Sequence, residues 1–404
     1  MIFWLHMVKR RFWIRRLEQA WSERSIVWLR GVRRVGKTVL CQSLPRCQYL
    51  DCELPSVRRV LEQPEPFLRE LQGARIVLDE IHRLREPSAV LKIAADHYPD
   101  TKVLATGSST LGASARFRDT LAGRKRDVWL TPMNSLDLAD FGSRDLKHRL
   151  LHGGLPPFFL SPQVPEADFQ EWMDAYWAKD IQELFRLERR HSFQKFAEML
   201  WTQSGGMFEA SSFAGPCEVS RTSVANYLGV LEATAAVHVI RPFHSRKNSE
   251  IVAAPKVYGF DTGFVCFYRG WDRLRRDDLG PLWEHYVLNE LHSRLPQPRI
   301  LYWRDKQKHE IDFVVSGPAR ANPVAIECRW SADEFDPASL MVFRRQYPQG
   351  RNLVVAQDLA RSFRRSYAGV EVQFVNLEQL VDSLIGDRRS SSRSSNPIIL
   401  SPRC

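Results

Sequence analysis

The chain has 404 residues, of which 44% are hydrophobic and 26% are charged, and its formal net charge is +11. A chain of this length predicts two or three domains, and the composition is that of an ordinary soluble globular protein. The excess of positive charge favours a polyanionic partner such as nucleic acid, although a solvated basic surface would account for it equally well.

The 7 cysteines are scattered without a CxxC pair, so the sequence contains no zinc signature and reduced thiols are expected. Residues 1–7 are apolar before the chain becomes basic, which is the reverse of a secretory signal. No stretch approaches the apolar length that crosses a bilayer. We therefore expect a soluble, cytoplasmic protein with no membrane partner.

A phosphate-loop pattern follows a predicted amphipathic helix (residues 8–24) and a short apolar strand. It consists of Gly31, four further residues, and then Gly36, Lys37 and Thr38. The glycines let the backbone turn so that consecutive N–H groups point at phosphate oxygens, and the next helix adds its positive N-terminal end. Lys37 is placed for the β- and γ-phosphates, and Thr38 for Mg²⁺. The alternative is an ordinary strand-turn-helix with an exposed lysine.

A second apolar strand, over residues 75–78, ends in the carboxylates Asp79 and Glu80. Asp79 can reach Mg²⁺ through water, and Glu80 can accept a proton from the attacking water or orient it. An acidic pair after a strand also occurs as a helix cap. Because a phosphate loop precedes it, we interpret this pair as the second half of a nucleotide site.

The next apolar strand, over residues 102–106, ends in small hydroxyl residues. Ligands lie beyond the carboxyl ends of parallel strands, so Thr106 or Ser108 is expected to face the γ-phosphate, with a plain Ser-rich turn as the alternative. Several arginines follow, and Arg124 is the candidate to act on the nucleotide of a neighbouring subunit in a homo-oligomer. The alternative for Arg124 is an ordinary surface charge.

Strand and helix patterns alternate through residue 130, which predicts an α/β fold with a parallel sheet and helices on both of its faces. The sequence lacks the Asn-Lys-x-Asp and Thr-Lys-x-Asp patterns that select guanine. The predicted nucleotide is therefore ATP.

Four segments together resemble uncharacterised prokaryotic ATPases of the AAA+ superfamily, which join a P-loop domain to a C-terminal region of unknown function. They are the phosphate loop, the Leu-Asp-Glu strand end, the Thr-Gly-Ser-Ser strand end and the Leu-Ala-Gly-Arg segment. The resemblance implies that the strand ending at Thr106 lies between the phosphate-loop strand and the Asp79 strand, with Thr106 or Ser108 as the sensor. Asp180, within Tyr-Trp-Ala-Lys-Asp-Ile, matches a further motif of this family whose role does not follow from the residues.

A Gly-Gly-Leu-Pro-Pro cluster at residues 153–157 is predicted to be a hinge or linker. Residues 207–243 then resemble a winged helix, with a turn and a second helix capped by Ser220. That helix would present Arg221 and Asn226 to a DNA groove, and the basic tip after it would present Arg246 and Lys247 to phosphates. The alternative is that this segment is a lid of the ATPase or an oligomer contact.

The C-terminal part resembles the PD-(D/E)xK nuclease fold, in which a helix Glu, a strand Asp and a Glu-x-Lys surround a divalent metal. Glu284, Asp312 and Glu327 map onto the acids, and hard oxygen ligands of this kind hold Mg²⁺. Arg329 stands where that motif has lysine, and arginine is bulkier and cannot take part in proton transfer. We therefore expect a retained fold with a binding or structural role in preference to cleavage.

The predicted domains are an AAA+-type P-loop ATPase domain over residues 1–152, a helical and winged-helix lid over 153–250, a restriction-endonuclease-like α/β domain over 251–385, and a disordered Ser- and Arg-rich tail over 386–404. We predict an Mg²⁺-dependent ATPase that couples nucleotide state to domain movement and to DNA binding. One alternative is a DNA-binding switch that uses ATP without turnover. The other is a metal-dependent nuclease.

Overall fold

The structure is a computed structural model that describes residues 8–107, 115–163, 166–182, 185, 187, 189–244, 254–296, 299–316 and 322–393. The chain divides into two compact units. Residues 1–238 and 257–273 form the first unit, and residues 239–256 and 274–404 form the second. The domain boundaries predicted from the sequence stay predictions.

The first unit is built on a five-stranded parallel sheet, as the sequence predicts. Its strands are β1 (Ile26–Arg30), β2 (Gln48–Asp51), β3 (Arg75–Asp79), β4 (Lys102–Thr106) and β5 (Lys125–Trp129). The spatial order is β2-β3-β4-β1-β5, and every neighbouring pair is parallel. Because β4 lies between β1 and β3, the strand order implied by the family resemblance is confirmed.

The three central strands are continuous apolar runs because helices cover both faces of the sheet. The first four residues of β1 are buried, and so are the last four residues of β3 and of β4. The helices of this unit span Arg11–Glu23, Lys37–Gln42, Pro55–Leu61, Pro64–Glu70, Pro87–His97, Ala115–Thr120, Ser135–Asp140, Leu146–His152, Pro156–Phe159, Glu166–Tyr176, Arg190–Thr202, Ala210–Ala214, Arg221–Ala233 and Thr262–Tyr268. A π-helical turn, Trp177–Gln182, continues the Glu166–Tyr176 helix.

The predicted linker at Gly153 is a buried, tightly packed turn. The backbone N–H of Gly154 donates to Asp261 Oδ2 at 2.6 Å, and Arg149 forms an ion pair with the same carboxylate at 3.6 Å. Arg149 also donates to the Thr262 hydroxyl at 3.0 Å. Burial raises the pKa of Asp261, and the charge of Arg149 and three backbone N–H groups oppose this shift. These contacts join segments that lie more than one hundred residues apart in sequence.

The segment that resembles a winged helix contains the helices Ala210–Ala214 and Arg221–Ala233, followed by β7 (Val237–Ile240). Ser220 caps the second helix, because its side chain accepts the N–H of Ser223. β7 belongs to a three-stranded sheet of order β6-β8-β7, with β6 at Gly206–Met207 and β8 at Lys256–Gly259. The basic tip with Arg246 and Lys247 lies outside the described residues, so the winged helix itself stays a prediction.

The second unit contains a six-stranded mixed sheet of order β13-β14-β12-β11-β10-β9. Its strands are β9 (Ile300–Arg304), β10 (Glu310–Val315), β11 (Val324–Arg329), β12 (Asn352–Ala356), β13 (Phe363–Tyr367) and β14 (Val370–Val375). Its helices span Arg276–Arg294, Ala338–Gln346 and Leu377–Arg393. An α/β fold in this part is as predicted, whereas its likeness to nucleases stays a prediction.

The last helix spans Leu377–Arg393, so it extends past residue 386, where the sequence analysis places the start of a disordered tail; that boundary stays a prediction. Buried Leu380, Val381 and Leu384 anchor the first turns of this helix, and a helix nucleated in this way extends at little further cost. Residues 394–404 lie outside the described part of the chain. Among the described helices, none is long and apolar enough to cross a membrane.

Replacing Gly153 by alanine should destabilise the first unit by about 3–5 kcal/mol, the cost of disrupting a buried charge pair. Residue 153 has a φ of +87°, and a Cβ there would lie 2.0 Å from Asp261 Oδ1. The matched control is Gly229→Ala in the exposed part of the Arg221–Ala233 helix, where a Cβ meets nothing within 4 Å. That control should stabilise the helix by about 0.5–1 kcal/mol. Denaturant unfolding of both variants checks the contrast, and equal midpoints would contradict it.

Candidate functional site

The phosphate loop needs glycine at two positions for two different physical reasons. At Gly31 a Cβ would lie 2.5 Å from the carbonyl oxygen of Leu130, so the backbone there is too crowded for a side chain. Gly36 has a φ of +96°, in the region that favours glycine, and it immediately precedes the Lys37–Gln42 helix. Both predicted glycines therefore shape the loop.

Lys37 lies inside the loop, and its ammonium group donates to the carbonyl oxygens of Gly31 at 2.8 Å and Val32 at 3.2 Å. Burial lowers the pKa of Lys37, and the nearby carboxylates of Glu80 and Asp180 partly oppose this shift. A cation held by two weak neutral acceptors in a cavity is well placed to move to a phosphate oxygen.

Asp79 is the centre of the polar network at the end of β3. Its side chain is 2% exposed and accepts hydrogen bonds from Thr38 at 2.8 Å, from the Tyr49 hydroxyl at 2.6 Å and from Thr106. The Thr106 hydroxyl in turn accepts the backbone N–H of Glu80 at 3.1 Å. The structure thus brings together four of the residues predicted from the sequence.

The sequence analysis missed Tyr49. It lies in β2, which pairs with β3, so its phenol reaches the carboxylate from the neighbouring strand. Burial raises the pKa of Tyr49, as does its hydrogen bond to Asp79, so the phenol stays protonated and donates. No motif marks this residue, and only the strand order reveals its place.

Glu80 has the left-handed backbone conformation, with φ 52°, which costs a non-glycine residue on the order of 1–3 kcal/mol. One carboxylate oxygen lies 3.1 Å from Nδ1 of His82. Burial raises the pKa of Glu80, but the hydrogen bond from His82 and the charge of Lys37 outweigh it, so the pKa lies below its ordinary value. The carboxylate is therefore ionised at neutral pH, as a group that accepts a proton from water must be.

Thr38 and Asp79 fit the predicted role in holding Mg²⁺, because this ion prefers oxygen ligands and binds through few protein groups together with substrate phosphates. Their side-chain oxygens lie 2.8 Å apart. Within the described residues there is no group of three or more His, Cys, Asp or Glu side chains that could hold a metal ion.

These residues line a cavity of about 1310 Å³ in the first unit. One part of its lining is charged and includes Lys37, Asp79 and Glu80, together with Arg33 and Asp180. Another part is largely apolar and includes Val8, Phe141, Pro156, Pro157 and Leu160. A cavity lined by both charged and apolar side chains suits a ligand that carries phosphates as well as a flat ring.

A buried arginine that the sequence analysis also missed, Arg10, is hydrogen-bonded to the phosphate loop. Arg10 donates to both carboxylate oxygens of Asp137, at 2.8 and 2.6 Å, and to the loop carbonyl of Val35 at 2.9 Å. Asp137 further accepts the indole N–H of Trp13 at 3.0 Å and the backbone N–H of Asn134 at 3.1 Å. This cluster ties the loop to the Ser135–Asp140 helix.

Of the predicted residues that the structure describes in the first unit, Arg124, Arg221 and Asn226 do not line the cavity. Arg124 donates to both carboxylate oxygens of Asp96, at 2.6 and 3.1 Å, and does not line the cavity. Arg221 and Asn226 are exposed at the start of the Arg221–Ala233 helix. Ser108, like Arg246 and Lys247, lies outside the described residues.

In the second unit, Arg329 lies between two of the predicted metal-binding acids. It donates to Asp312 Oδ2 at 3.0 Å and to Glu327 Oε2 at 2.7 Å. Burial raises the pKa of Glu327 well above its ordinary value, and the nearby Asp312 raises it further. The guanidinium of Arg329 therefore supplies the positive charge that a metal would supply beside these two acids. This arrangement argues against cleavage.

The third predicted acid of that unit has a different partner. Glu284 accepts from the buried ammonium of Lys256 at 2.9 Å, and the same ammonium donates to Glu310 at 2.7 Å. Each of the predicted acids thus contacts a cationic side chain of the same unit. The proposed metal set of Glu284, Asp312 and Glu327 does not form a group that could hold a metal ion within the described residues.

Arg10→Met should destabilise the first unit by about 3–5 kcal/mol, because Asp137 would stay buried without its cation. The same change should weaken nucleotide binding, since the carbonyl of Val35 loses its donor. Arg11→Met is the matched control. Its ion pair with Asp140 is equally short at 2.6 Å, but the Arg11 side chain is 71% exposed and its backbone N–H still donates to Asp140 at 2.7 Å, so the loss should be smaller than that of Arg10→Met. Chemical denaturation and nucleotide titration measure both effects, and similar losses in the two variants would contradict the assignment.

Three family models match consecutive parts of the chain. An AAA domain matches residues 23–138, a domain of unknown function (DUF8612) matches 143–275, and a domain of unknown function (DUF4143) matches 279–378. The first of these covers the phosphate loop, Asp79 and Glu80. The chain therefore carries an ATP-binding P-loop domain of the AAA type.

Among solved structures, the chain is similar to the Walker-type ATPase PABY2304 of Pyrococcus abyssi, at 16% identity and a TM-score of 0.43, over 65% of this chain and 96% of that one. It is also similar to the STAND protein PH0952 of Pyrococcus horikoshii, at 14% identity and a TM-score of 0.27, over 70% of this chain and 45% of that one. Likenesses this weak carry no argument about the reaction.

Two curated relatives are much closer in sequence. The uncharacterized proteins Rv2008c of Mycobacterium tuberculosis and Mb2031c of Mycobacterium bovis are each 30% identical over 322 residues, which is 76% of this chain and 71% of theirs. The chain belongs to the same protein family as these two mycobacterial proteins.

Proposed function

We propose that the protein is an Mg²⁺-dependent ATPase. The observation that carries the proposal is the meeting of Lys37, Thr38, Asp79, Glu80 and Thr106 at the carboxyl ends of β1, β3 and β4. A structural role alone would not require an ionised Glu80 in a strained conformation beside a buried lysine. Strained, charged residues that line a cavity are typical of a reactive site.

In this proposal each residue has a separate task. Lys37 leaves the carbonyl oxygens of the loop and binds the β- and γ-phosphates. Thr38 and Asp79 would hold Mg²⁺, and the bound ion would supply positive charge beside the phosphates. Glu80 orients the attacking water and accepts its proton, because its pKa is low enough to keep it ionised. Thr106 links the Asp79 carboxylate to the backbone of Glu80 and so holds the two in register.

The apolar part of the cavity supports a purine ring at the other end of the ligand. Val8, Phe141 and Leu160 line it together with Pro156 and Pro157. A base held largely by apolar contacts gains affinity from the area that it buries. The preference for adenine over guanine continues to rest on the absence of a guanine-selecting pattern in the sequence.

Purified protein should hydrolyse ATP, and Lys37→Ala should lose both binding and turnover because the phosphates lose their cation. Glu80→Gln should bind ATP but turn it over at least about 100-fold more slowly, the lower end of the range for a missing general base. Phosphate release and nucleotide titration measure the two effects separately. Equal turnover in the wild type and both variants would contradict the proposed ATPase function.

A second candidate function, contact with duplex DNA, is favoured by the exposed start of the Arg221–Ala233 helix. Arg221 and Asn226 are both exposed there, and the chain carries a net charge of +11. In this role ATP would act as a switch that regulates binding.

Binding to duplex DNA should be salt-sensitive and should weaken on Arg221→Ala, because phosphate contacts release counterions. Arg190→Ala is the matched control, since Arg190 is also exposed in this unit but forms an ion pair with Asp174. Fluorescence anisotropy over a salt series measures the difference. No binding at low salt, with or without ATP, would refute this function.

A further inference from the structure

The segment Glu166–Gln182 contacts the phosphate loop at two neighbouring arginines. The indole N–H of Trp172 donates to the backbone carbonyl of Arg33 at 3.0 Å. Arg34 pairs with Glu171 at 2.5 Å, and the Arg33 side chain pairs with Asp180 at 3.3 Å. Part of the loop that receives phosphates is therefore held by residues about 140 positions further along the chain.

The Arg33–Asp180 contact is a single one. Only Nε of Arg33 reaches the carboxylate, and within the described part of the chain the guanidinium makes no other hydrogen bond. A guanidinium has five N–H donors, so four of them are available to a ligand. Both side chains line the cavity and are partly exposed, Arg33 at 28% and Asp180 at 13%. An ion pair of this kind is weak.

Asp180 lies in the π-helical turn Trp177–Gln182, next to Lys179, which also lines the cavity. A π-helical turn is rare and is frequently found at functional sites. Trp177 and Ile181 are buried and fix the turn from its other side. The turn thus aims two charged side chains at the cavity and leaves their apolar neighbours packed.

We propose that Arg33 exchanges Asp180 for the terminal phosphate of bound ATP, and that the release of Asp180 is how the segment Glu166–Gln182 senses the nucleotide. This inference rests on the proposed ATPase function. It gives the family motif around Asp180 a role, that of a competitor for the phosphate-binding arginine.

The direction of the exchange follows from charge and geometry. A terminal phosphate carries more negative charge than a carboxylate and accepts two parallel N–H donors of a guanidinium at once. The single contact to Asp180 cannot match that geometry. The Trp172 bond holds the backbone of Arg33, so the side chain can change partner without moving the loop. Since coupling between two sites is reciprocal, loosening the pair must also favour ATP.

A double-mutant cycle tests the exchange, with titration of the Mg²⁺ complexes of AMP-PNP and ADP. Asp180→Asn should tighten AMP-PNP binding roughly two- to fivefold, the size of a partly exposed ion pair, and should change ADP binding less. Arg33→Gln should weaken AMP-PNP binding, and in that background Asp180→Asn should have no further effect. Asp168→Asn is the matched control, because it removes an equal charge from the lining of the same cavity and, among the described residues, forms no hydrogen bond or ion pair with Arg33. Its effect should be the same with and without Arg33.

Two outcomes would contradict the proposed exchange even if the nucleotide binds. One is an equal gain for ADP and AMP-PNP on Asp180→Asn, and the other is a gain that persists in the Arg33→Gln background. Hydrogen exchange of the wild-type chain gives a test that needs no variant, since the amides of residues 177–182 should exchange faster with AMP-PNP than with ADP. Unchanged exchange with bound AMP-PNP overturns the sensor alone. Failure of the wild type to bind either nucleotide overturns the ATPase function and the sensor together.

Discussion

The nucleotide site depends on one carboxylate, that of Asp79. Three hydroxyl groups, each from a different helix or strand, donate hydrogen bonds to it. Thr38 reaches it from the helix after β1, Tyr49 from β2 and Thr106 from β4. These partners can meet only if β3 lies between β2 and β4, and the sheet has that order. Because the Thr106 hydroxyl also accepts the backbone N–H of Glu80, the same carboxylate helps to position Glu80.

Buried arginines account for part of the positive charge of the chain. Arg10 and Arg149 are 4% and 1% exposed and contact buried aspartates of the first unit. Arg344 is 6% exposed in the second unit and donates to backbone carbonyl oxygens and to Asn352, and burial lowers its pKa to about 10. Each buried pair with an aspartate is neutral and leaves the net charge of the surface unchanged, so of these three arginines only Arg344 removes positive charge from the surface.

The acidic side chains of the two units have different kinds of hydrogen-bond partner. In the first unit, neutral hydroxyl groups surround Asp79 and leave it a negative charge to offer a cation. In the second unit, Arg329 already contacts Asp312 and Glu327. A carboxylate with a tethered cation gains little from a metal, because the metal would have to displace a guanidinium that makes two charge-assisted hydrogen bonds. This contrast favours nucleotide chemistry in the first unit over metal chemistry in the second.

The sequence alone determined the parts of the site that are local in the chain. The glycines around Lys37, the carboxylates at the end of β3 and the parallel α/β fold follow from short patterns, because backbone conformation and strand burial depend on neighbouring residues. Tyr49, Arg10 and the Arg33–Asp180 pair could not be predicted in this way. Their partners lie 25 to 147 positions away, and no spacing rule connects them. Only the tertiary structure decided which charges meet, because long-range contacts are set by how elements pack and not by their own sequences.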